Sequence, residues 1–141
     1  MIVDRLEDSH AFRGISRILI EEATNPRNME MMDDADGKSI FTGPCGDTMT
    51  FYVKADGHAI SKVCFQANGC AVTLACGSAT TRLAEGKTIM DAFNLRPEAI
   101  VSALGGLPEG HEHCATLCIT ALRCAIADCA KRRGWRFLDG K

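Results

Sequence analysis

The chain has 141 residues, of which 46% are hydrophobic and 24% charged, and its formal net charge at pH 7 is −2. This length and composition are typical of a globular protein with one hydrophobic core, so we expect residues 1–141 to form a single domain. The nearly balanced charge lacks the basic patch of nucleic-acid-binding proteins, which excludes nucleic acid as an expected partner.

The N-terminus does not have the pattern of a secretory signal, because Asp4, Glu7 and Asp8 interrupt it before an apolar run develops. No stretch approaches the roughly 20 apolar residues that a membrane span requires. We therefore expect a cytoplasmic protein with no membrane partner. In that compartment the eight cysteines are expected to be reduced thiols, metal ligands or core residues rather than disulfides.

The first predicted element is a helix that begins near Ser9, runs through Ile15 and ends near Asn25. It ends there because the residue before Pro26 avoids the α-helical region. Residues 26–43 show no clean hydrophobic period, so we expect a long loop.

A two-residue period then predicts two antiparallel strands. Apolar and polar residues alternate over residues 48–53, and a second strand is expected over residues 59–66. Asp56-Gly57 between them predicts a tight hairpin turn, since glycine adopts a positive φ at no steric cost. Ile60 is out of phase with the second strand, which indicates a bulge or an edge position.

Helical patterns fill the rest of the chain. One helix is expected to begin at Cys70 and end at Gly86, and two short helices begin at Thr88 and Pro97. The longest pattern covers residues 111–133. A helix, a small antiparallel sheet and then several helices predict an α+β fold, with the helices on one face of the sheet and a long C-terminal helix.

Three cysteines lie at the boundaries of these elements: Cys45 in Gly-Pro-Cys-Gly-Asp, Cys70 in Asn-Gly-Cys-Ala and Cys114 in His-Cys-Ala. Thiolates are the ligands that iron–sulfur clusters and zinc select. Cys70 and Cys114 each lie near a predicted helix N-terminus, which should lower the thiol pKa. Asp47 is a candidate fourth ligand. A carboxylate binds iron or zinc less tightly than a fourth thiolate would, which suits a cluster that must leave.

His113 competes with Asp47 for the fourth position, because neutral imidazole also binds iron and zinc. Adjacent helical residues point about 100° apart, so we assign His113 as an exchangeable ligand beside Cys114. Cys118 lies one helical turn after Cys114 and is a candidate sulfur relay or alternative ligand. The cysteines inside predicted strands and helices are otherwise expected in the core: Cys64, Cys76, Cys118, Cys124 and Cys129.

The three cysteine motifs together resemble the U-type iron–sulfur scaffold family, which includes IscU and the N-terminal domain of NifU. Asn25-Pro26-Arg27-Asn28 and Ala125-Ile126-Ala127-Asp128 match that family as well, so the resemblance covers almost the whole chain. It implies a scaffold that accepts sulfur from a cysteine desulfurase, binds iron, and transfers the cluster to apo-proteins. Ferredoxin and chaperones are further implied partners, and a monomer or transient homodimer is the implied state.

The resemblance also implies roles for individual residues. Cys45, Cys70 and Cys114 would bind the cluster, either [2Fe–2S] or [4Fe–4S]. Asp47 would be the aspartate linked to cluster lability, and Cys114 the persulfide acceptor. The implied protein is a carrier rather than an enzyme.

The alternative is a zinc-dependent sulfurtransferase that uses the same four ligands and frees one thiol to accept sulfur. Its relatives usually carry an insertion between the second and third cysteines and an arginine at the position of His113, and this chain has neither. Zinc in the isolated protein would fit both functions.

One segment departs from the scaffold family. Leu107-Pro108-Glu109-Gly110-His111 stands where the family usually has Leu-Pro-Pro-Val-Lys before the His-Cys pair. The resemblance therefore does not extend to the segment that the family's dedicated chaperone recognises.

Overall fold

The computed structural model describes residues 15–134. Within that range the chain forms three strands and five helices, which confirms the predicted α+β class. In chain order they are α1 Arg17–Thr24, β1 Gly37–Thr42, β2 Thr48–Asp56, β3 Ala59–Asn68, α2 Ala71–Ala84, α3 Ile89–Phe93, α4 Pro97–Ala103 and α5 Glu112–Arg133.

The strands form an antiparallel sheet in the order β1-β2-β3. Helix α5 packs on β1 and β2, and α2 packs on β3 and α5. Between the sheet and these helices lie the fully buried side chains of Met49, Phe51, Val53, Val63 and Phe65. Their burial follows the two-residue alternation of β2, so the main core lies between the sheet and the helices, as predicted.

The predicted hairpin and bulge between β2 and β3 are both confirmed. Gly57 has a φ of +65°, which the tight turn requires. Lys54 pairs with Lys62, but Ala55 pairs with Ile60, so β3 contains one extra residue at that point. The bulge explains why Ile60 is buried although it is out of phase with the rest of β3.

Strand β1 lies inside the segment that we expected to be a loop, so that prediction is wrong. Its inward positions are Gly37 and Ser39, whereas Ile40 is 65% exposed, which is the reverse of a hydrophobic alternation. The strand is held by α5 instead, because the Ser39 hydroxyl donates to the Ala121 carbonyl at 2.6 Å. A Cβ on Gly37 would lie 2.3 Å from the Ala125 carbonyl oxygen, so glycine permits the close approach.

The first helix is shorter than predicted. Helix α1 begins at Arg17 because Ser16 caps it, its hydroxyl accepting from the Leu19 amide at 2.9 Å. Ile15 therefore precedes the helix, and the predicted start near Ser9 lies outside the described residues. The predicted end is confirmed, since α1 stops at Thr24 with Asn25 as its cap.

Helix α5 is long and apolar enough to span a membrane, although we expected no such segment. In its 18-residue apolar window 61% of the residues are buried inside the fold. The apolar character of α5 is that of a core helix. The predicted ends of this helix are confirmed, with Gly134 in the left-handed conformation at φ +71°.

Candidate metal centre

Cys45 and Asp47 lie on the loop of the β1–β2 hairpin. This loop closes on itself, because the Gly43 amide donates to the Asp47 carbonyl at 2.9 Å and the Gly46 amide donates to the Gly43 carbonyl at 3.0 Å. Gly46 has a φ of +94°, which favours glycine there. The loop leaves Cys45 exposed and turns Asp47 back toward the fold.

Cys70 is the N-cap residue of α2 and is exposed to solvent. Gly69, which precedes Cys70, leaves space for the side chain of Asp47, since a Cβ on Gly69 would lie 2.7 Å from Asp47 Oδ2. The absence of a side chain at this position lets the hairpin loop and the start of α2 meet. From the sequence, Gly69 stood out only as part of the Asn-Gly-Cys-Ala motif around Cys70.

Cys114 lies in the first turn of α5 and is fully buried. Its amide donates to the His111 carbonyl at 3.0 Å, which ties the residue into the helix start. Cys114 thus faces the hairpin loop and the start of α2 from the side of the core.

Asp47, Cys70 and Cys114 come together, with their possible ligand atoms all within 4.8 Å of one another. The ligands of one tetrahedral metal ion lie roughly 3.8 Å apart when metal–sulfur bonds are about 2.3 Å. The three donors therefore need only small movements to bind one metal ion. Two thiols and a carboxylate are a donor set that suits iron and zinc.

A hydroxyl group lies among these donors. Thr73, fully buried in the first turn of α2, donates from Oγ1 to Asp47 Oδ2 at 2.7 Å. The same oxygen is 3.4 Å from Cys114 Sγ and 3.5 Å from Cys70 Sγ. We call Asp47, Cys70, Thr73 and Cys114 the closed half of the site. Thr73 was not among the site residues predicted from the sequence, where the available signal was its position three residues after Cys70.

Cys45 is not among the three grouped donors and lies with His113 on the other side of the site. Both line an open cavity of about 270 Å³ whose exposed lining is almost entirely apolar. His113 Nε2 lies 3.7 Å from Cys114 Sγ, so the helix start brings these neighbours closer than regular helix geometry suggests. We call Cys45 and His113 the open half of the site.

The two thiols of the closed half have shifted pKa values of opposite sign. Burial raises the pKa of the Cys70 thiol, but the Thr73 hydroxyl and the Thr73 and Val72 amides outweigh it, so the net shift is downward. Burial raises the pKa of Cys114 to about 12, and the Thr73 hydroxyl offsets this only in part. The predicted lowering at Cys114 is therefore wrong, because desolvation exceeds the help of the helix N-terminus.

The remaining cysteines are free thiols like the first three. Cys64, Cys76, Cys118 and Cys129 are buried, as expected, whereas Cys124 is exposed on α5 and its predicted core position is wrong. Cys118 hydrogen-bonds with Cys76, and burial raises the pKa of its thiol well above the ordinary value. In this environment Cys118 is a core residue, which does not favour a role as sulfur relay.

A small α+β domain that gathers two thiols and a carboxylate, with a third thiol exposed, has a donor set that could hold a metal ion. The family model described as the NifU-like N-terminal domain matches residues 16–135. The chain belongs to this family.

Curated relatives agree with the match. The chain is 43% identical over 111 residues to iron-sulfur cluster assembly scaffold protein IscU 1 of Archaeoglobus fulgidus, which covers 78% of this chain and 72% of that protein. It is 35% identical over 119 residues to the scaffold protein IscU of Aquifex aeolicus, covering 82% of this chain and 76% of the relative.

Solved structures share the fold. A crystal structure from Fervidobacterium islandicum, described as an iron-sulfur cluster assembly scaffold protein for the SUF system, superimposes with a TM-score of 0.68 at 19% identity. It covers 84% of this chain and 98% of that one. The N-terminal part of a NifU-like protein from Brucella abortus gives a TM-score of 0.66 at 20% identity, covering 82% and 94%.

Proposed function

We propose that this protein is a scaffold for the assembly of iron–sulfur clusters. It accepts sulfur from a cysteine desulfurase, binds iron, and transfers the finished cluster to apo-proteins in the cytoplasm. The observation that carries this proposal is the grouping of Asp47, Cys70 and Cys114 within 4.8 Å, on three separate elements. The relatives named as IscU scaffold proteins support it.

In this proposal the cluster is cargo and its ligands come from both halves of the site. Cys70 and Cys114 bind it from the closed half and Cys45 from the open half, with Asp47 or His113 completing the coordination. A weaker carboxylate or imidazole ligand leaves one position that an acceptor's thiolate displaces first. The cluster is [2Fe–2S], or [4Fe–4S] formed from it, and the scaffold works as a monomer or transient homodimer.

Sulfur is delivered to Cys114 in the proposed pathway. The Cys114 thiolate attacks the outer sulfur of the desulfurase persulfide, its sulfur–sulfur bond breaks, and the desulfurase cysteine leaves as a thiolate. Oxidation states are unchanged until ferredoxin or a thiol supplies two electrons and releases sulfide. Because Cys114 is buried with a raised pKa, we infer that contact with the desulfurase must first expose it.

In this proposal the scaffold is a carrier, and its partners catalyse the chemical steps. We favour it over the zinc-dependent sulfurtransferase because the relatives given above are named as scaffolds. Zinc would still fill the same donors in protein isolated without iron. Chaperone-assisted transfer is part of the proposal, although the segment ending at His111 differs from the family's usual recognition sequence.

The test is anaerobic purification with iron, sulfide and zinc analysis, followed by reconstitution with a cysteine desulfurase. We expect brown protein with near-equal iron and sulfide, and loss of both in Cys70→Ala. Cys124→Ala is the matched control, because Cys124 is an exposed cysteine on α5 outside the site. Colourless protein that keeps one tight zinc, stimulates the desulfurase and forms no cluster would contradict the scaffold.

A further inference from the structure

We propose that Thr73 is a positioning residue that aims the Asp47 carboxylate at the two thiols of the closed half. The inference rests on the proposed function, because it concerns the same metal-binding donors. It adds a residue that is neither a thiol nor a carboxylate and that does not itself bind the metal.

The hydrogen bonds of the site assign this role. Thr73 Oγ1 has one hydrogen, and the acceptor at the shortest distance is Asp47 Oδ2, at 2.7 Å compared with 3.4 Å and 3.5 Å for the two sulfur atoms. A hydroxyl–carboxylate bond of this length is charge-assisted and stronger than a hydrogen bond to sulfur. Thr73 therefore donates mainly to the carboxylate, and the sulfur atoms of Cys70 and Cys114 share the same hydroxyl hydrogen more weakly.

Two contacts fix the Asp47 side chain. Gly69 leaves room for it on one side, where a Cβ would lie 2.7 Å from Oδ2, and the Thr73 hydroxyl donates to Oδ2. In the part of the chain that the structure describes, Thr73 is the hydrogen-bond donor to this carboxylate. Without it, the carboxylate could rotate away from the sulfur atoms into solvent, because Asp47 is only half-buried.

Thr73 is itself well placed to act as a rigid support. It is fully buried and belongs to the first turn of α2, directly after Cys70 caps that helix. A β-branched side chain in a helix has few rotamers, two in the case of threonine, and the complete burial of Thr73 restricts its side chain further. Groups that orient metal ligands in this way typically contribute 10- to 100-fold to metal affinity.

The experiment uses Zn²⁺ alone as the probe and measures its dissociation constant by competition with a chromophoric chelator. The full chain is compared with Thr73→Val, Thr73→Ser, Asp47→Ala and the double variant Asp47→Ala/Thr73→Val. We expect Thr73→Val to weaken Zn²⁺ binding about tenfold, and Thr73→Ser to retain nearly the full affinity. In the Asp47→Ala background, Thr73→Val should cause no further loss.

Co²⁺ spectra supply a second readout, since loss of the carboxylate changes the coordination of the bound ion. Thr73→Val and Asp47→Ala should give the same altered spectrum, which a role in packing would not produce. If Thr73→Val lowers the melting temperature strongly, Thr73→Ala serves as the second hydroxyl-free variant, with Thr73→Ser still the control.

Unchanged Zn²⁺ affinity in Thr73→Val overturns the inference, as does an equal loss in the presence and absence of Asp47. A different result marks failure of the proposed function itself. If Cys70→Ala and Cys114→Ala bind Zn²⁺ as tightly as the unaltered chain, these donors do not form the metal site. The proposed function and the inference about Thr73 then both fail.

Discussion

The two halves of the site differ in how closely their donors converge and, apart from the exposed Cys70, in burial. The closed half joins the hairpin loop, the start of α2 and the start of α5, with donors within 4.8 Å and Thr73 and Cys114 fully buried. The open half places Cys45 on an exposed loop and His113 beside an apolar cavity of about 270 Å³. The difference suggests that one half holds a metal while the other exchanges ligands with partners.

This division has a physical basis. Donors held by packing and hydrogen bonds lose little conformational entropy on binding, so they bind with high affinity. An exposed donor on a loop loses more entropy, and a partner can approach it directly. A scaffold that must assemble a cluster and then release it needs both properties.

The largest effect should come from removing a thiol of the closed half. Cys70→Ala or Cys114→Ala should weaken Zn²⁺ binding by more than the roughly 10- to 100-fold that loss of a ligand-orienting group costs, since each removes a ligand itself. Cys45→Ala should lower the yield of reconstituted cluster but leave Zn²⁺ binding measurable. Chelator competition and iron analysis measure the two effects. Equal loss of Zn²⁺ affinity in all three variants would remove the distinction between the halves.

A smaller effect is expected from Gly69→Ala. The new Cβ would lie 2.7 Å from Asp47 Oδ2 and must displace that side chain, so Zn²⁺ affinity should fall about tenfold, as for loss of a ligand-orienting contact. The fold should persist, because the displaced group is the end of a half-buried side chain.

Asp47→Ala/Gly69→Ala is the control for this displacement. Once the Asp47 side chain is absent, the added methyl should cost nothing further in affinity. A loss that persists in the double variant would mean that Gly69 acts on the backbone of the site and not through Asp47.

The burial of Cys114 predicts a dependence of apo-protein stability on pH. Its folded pKa of about 12 lies above the ordinary value of 9.0, so the folded state keeps the proton longer than the unfolded state. This contribution is present in full below pH 9 and is lost as the pH rises toward 12. Between pH 8 and pH 10 the loss should be about 1 kcal/mol.

Urea titrations of the metal-free chain at both pH values measure this loss, with Cys114→Ala for comparison. The pH-dependent loss should shrink in Cys114→Ala. The same dependence in Cys114→Ala would show that the buried thiol of the closed half does not titrate as described.

The smallest effect is expected from His113→Ala. His113 is proposed as an exchangeable ligand of the open half, so its removal should change Zn²⁺ affinity by no more than about threefold. This is well below the 10- to 100-fold loss that follows removal of a group that orients a metal ligand. Its loss should instead alter the rate at which bound metal passes to a competing thiol. Stopped-flow transfer to a chelator measures this rate. A loss of Zn²⁺ affinity as large as that of Cys70→Ala would place His113 in the closed half.

Much of the fold could be predicted from local signals. The alternation in β2, the Asp56-Gly57 turn, and the capping residues Thr88 and Gly134 each specify structure through neighbouring residues, and all are confirmed. Strand β1 gave no such signal, because Gly37 and Ser39 face inward and their partners lie on α5. A local hydrophobic pattern cannot predict a strand whose position depends on contacts with a helix far away in the sequence.

For the site, the sequence by itself determined the candidate metal ligands, since thiols and a carboxylate beside glycines at element boundaries are local features. Only the tertiary structure decided how they are divided: Asp47, Cys70 and Cys114 converge, whereas Cys45 is not among the converging donors. It also decided that the pKa of Cys114 rises and that Thr73 lies among the donors. Desolvation and long-range hydrogen bonds depend on elements far apart in the chain, so no local pattern contains them.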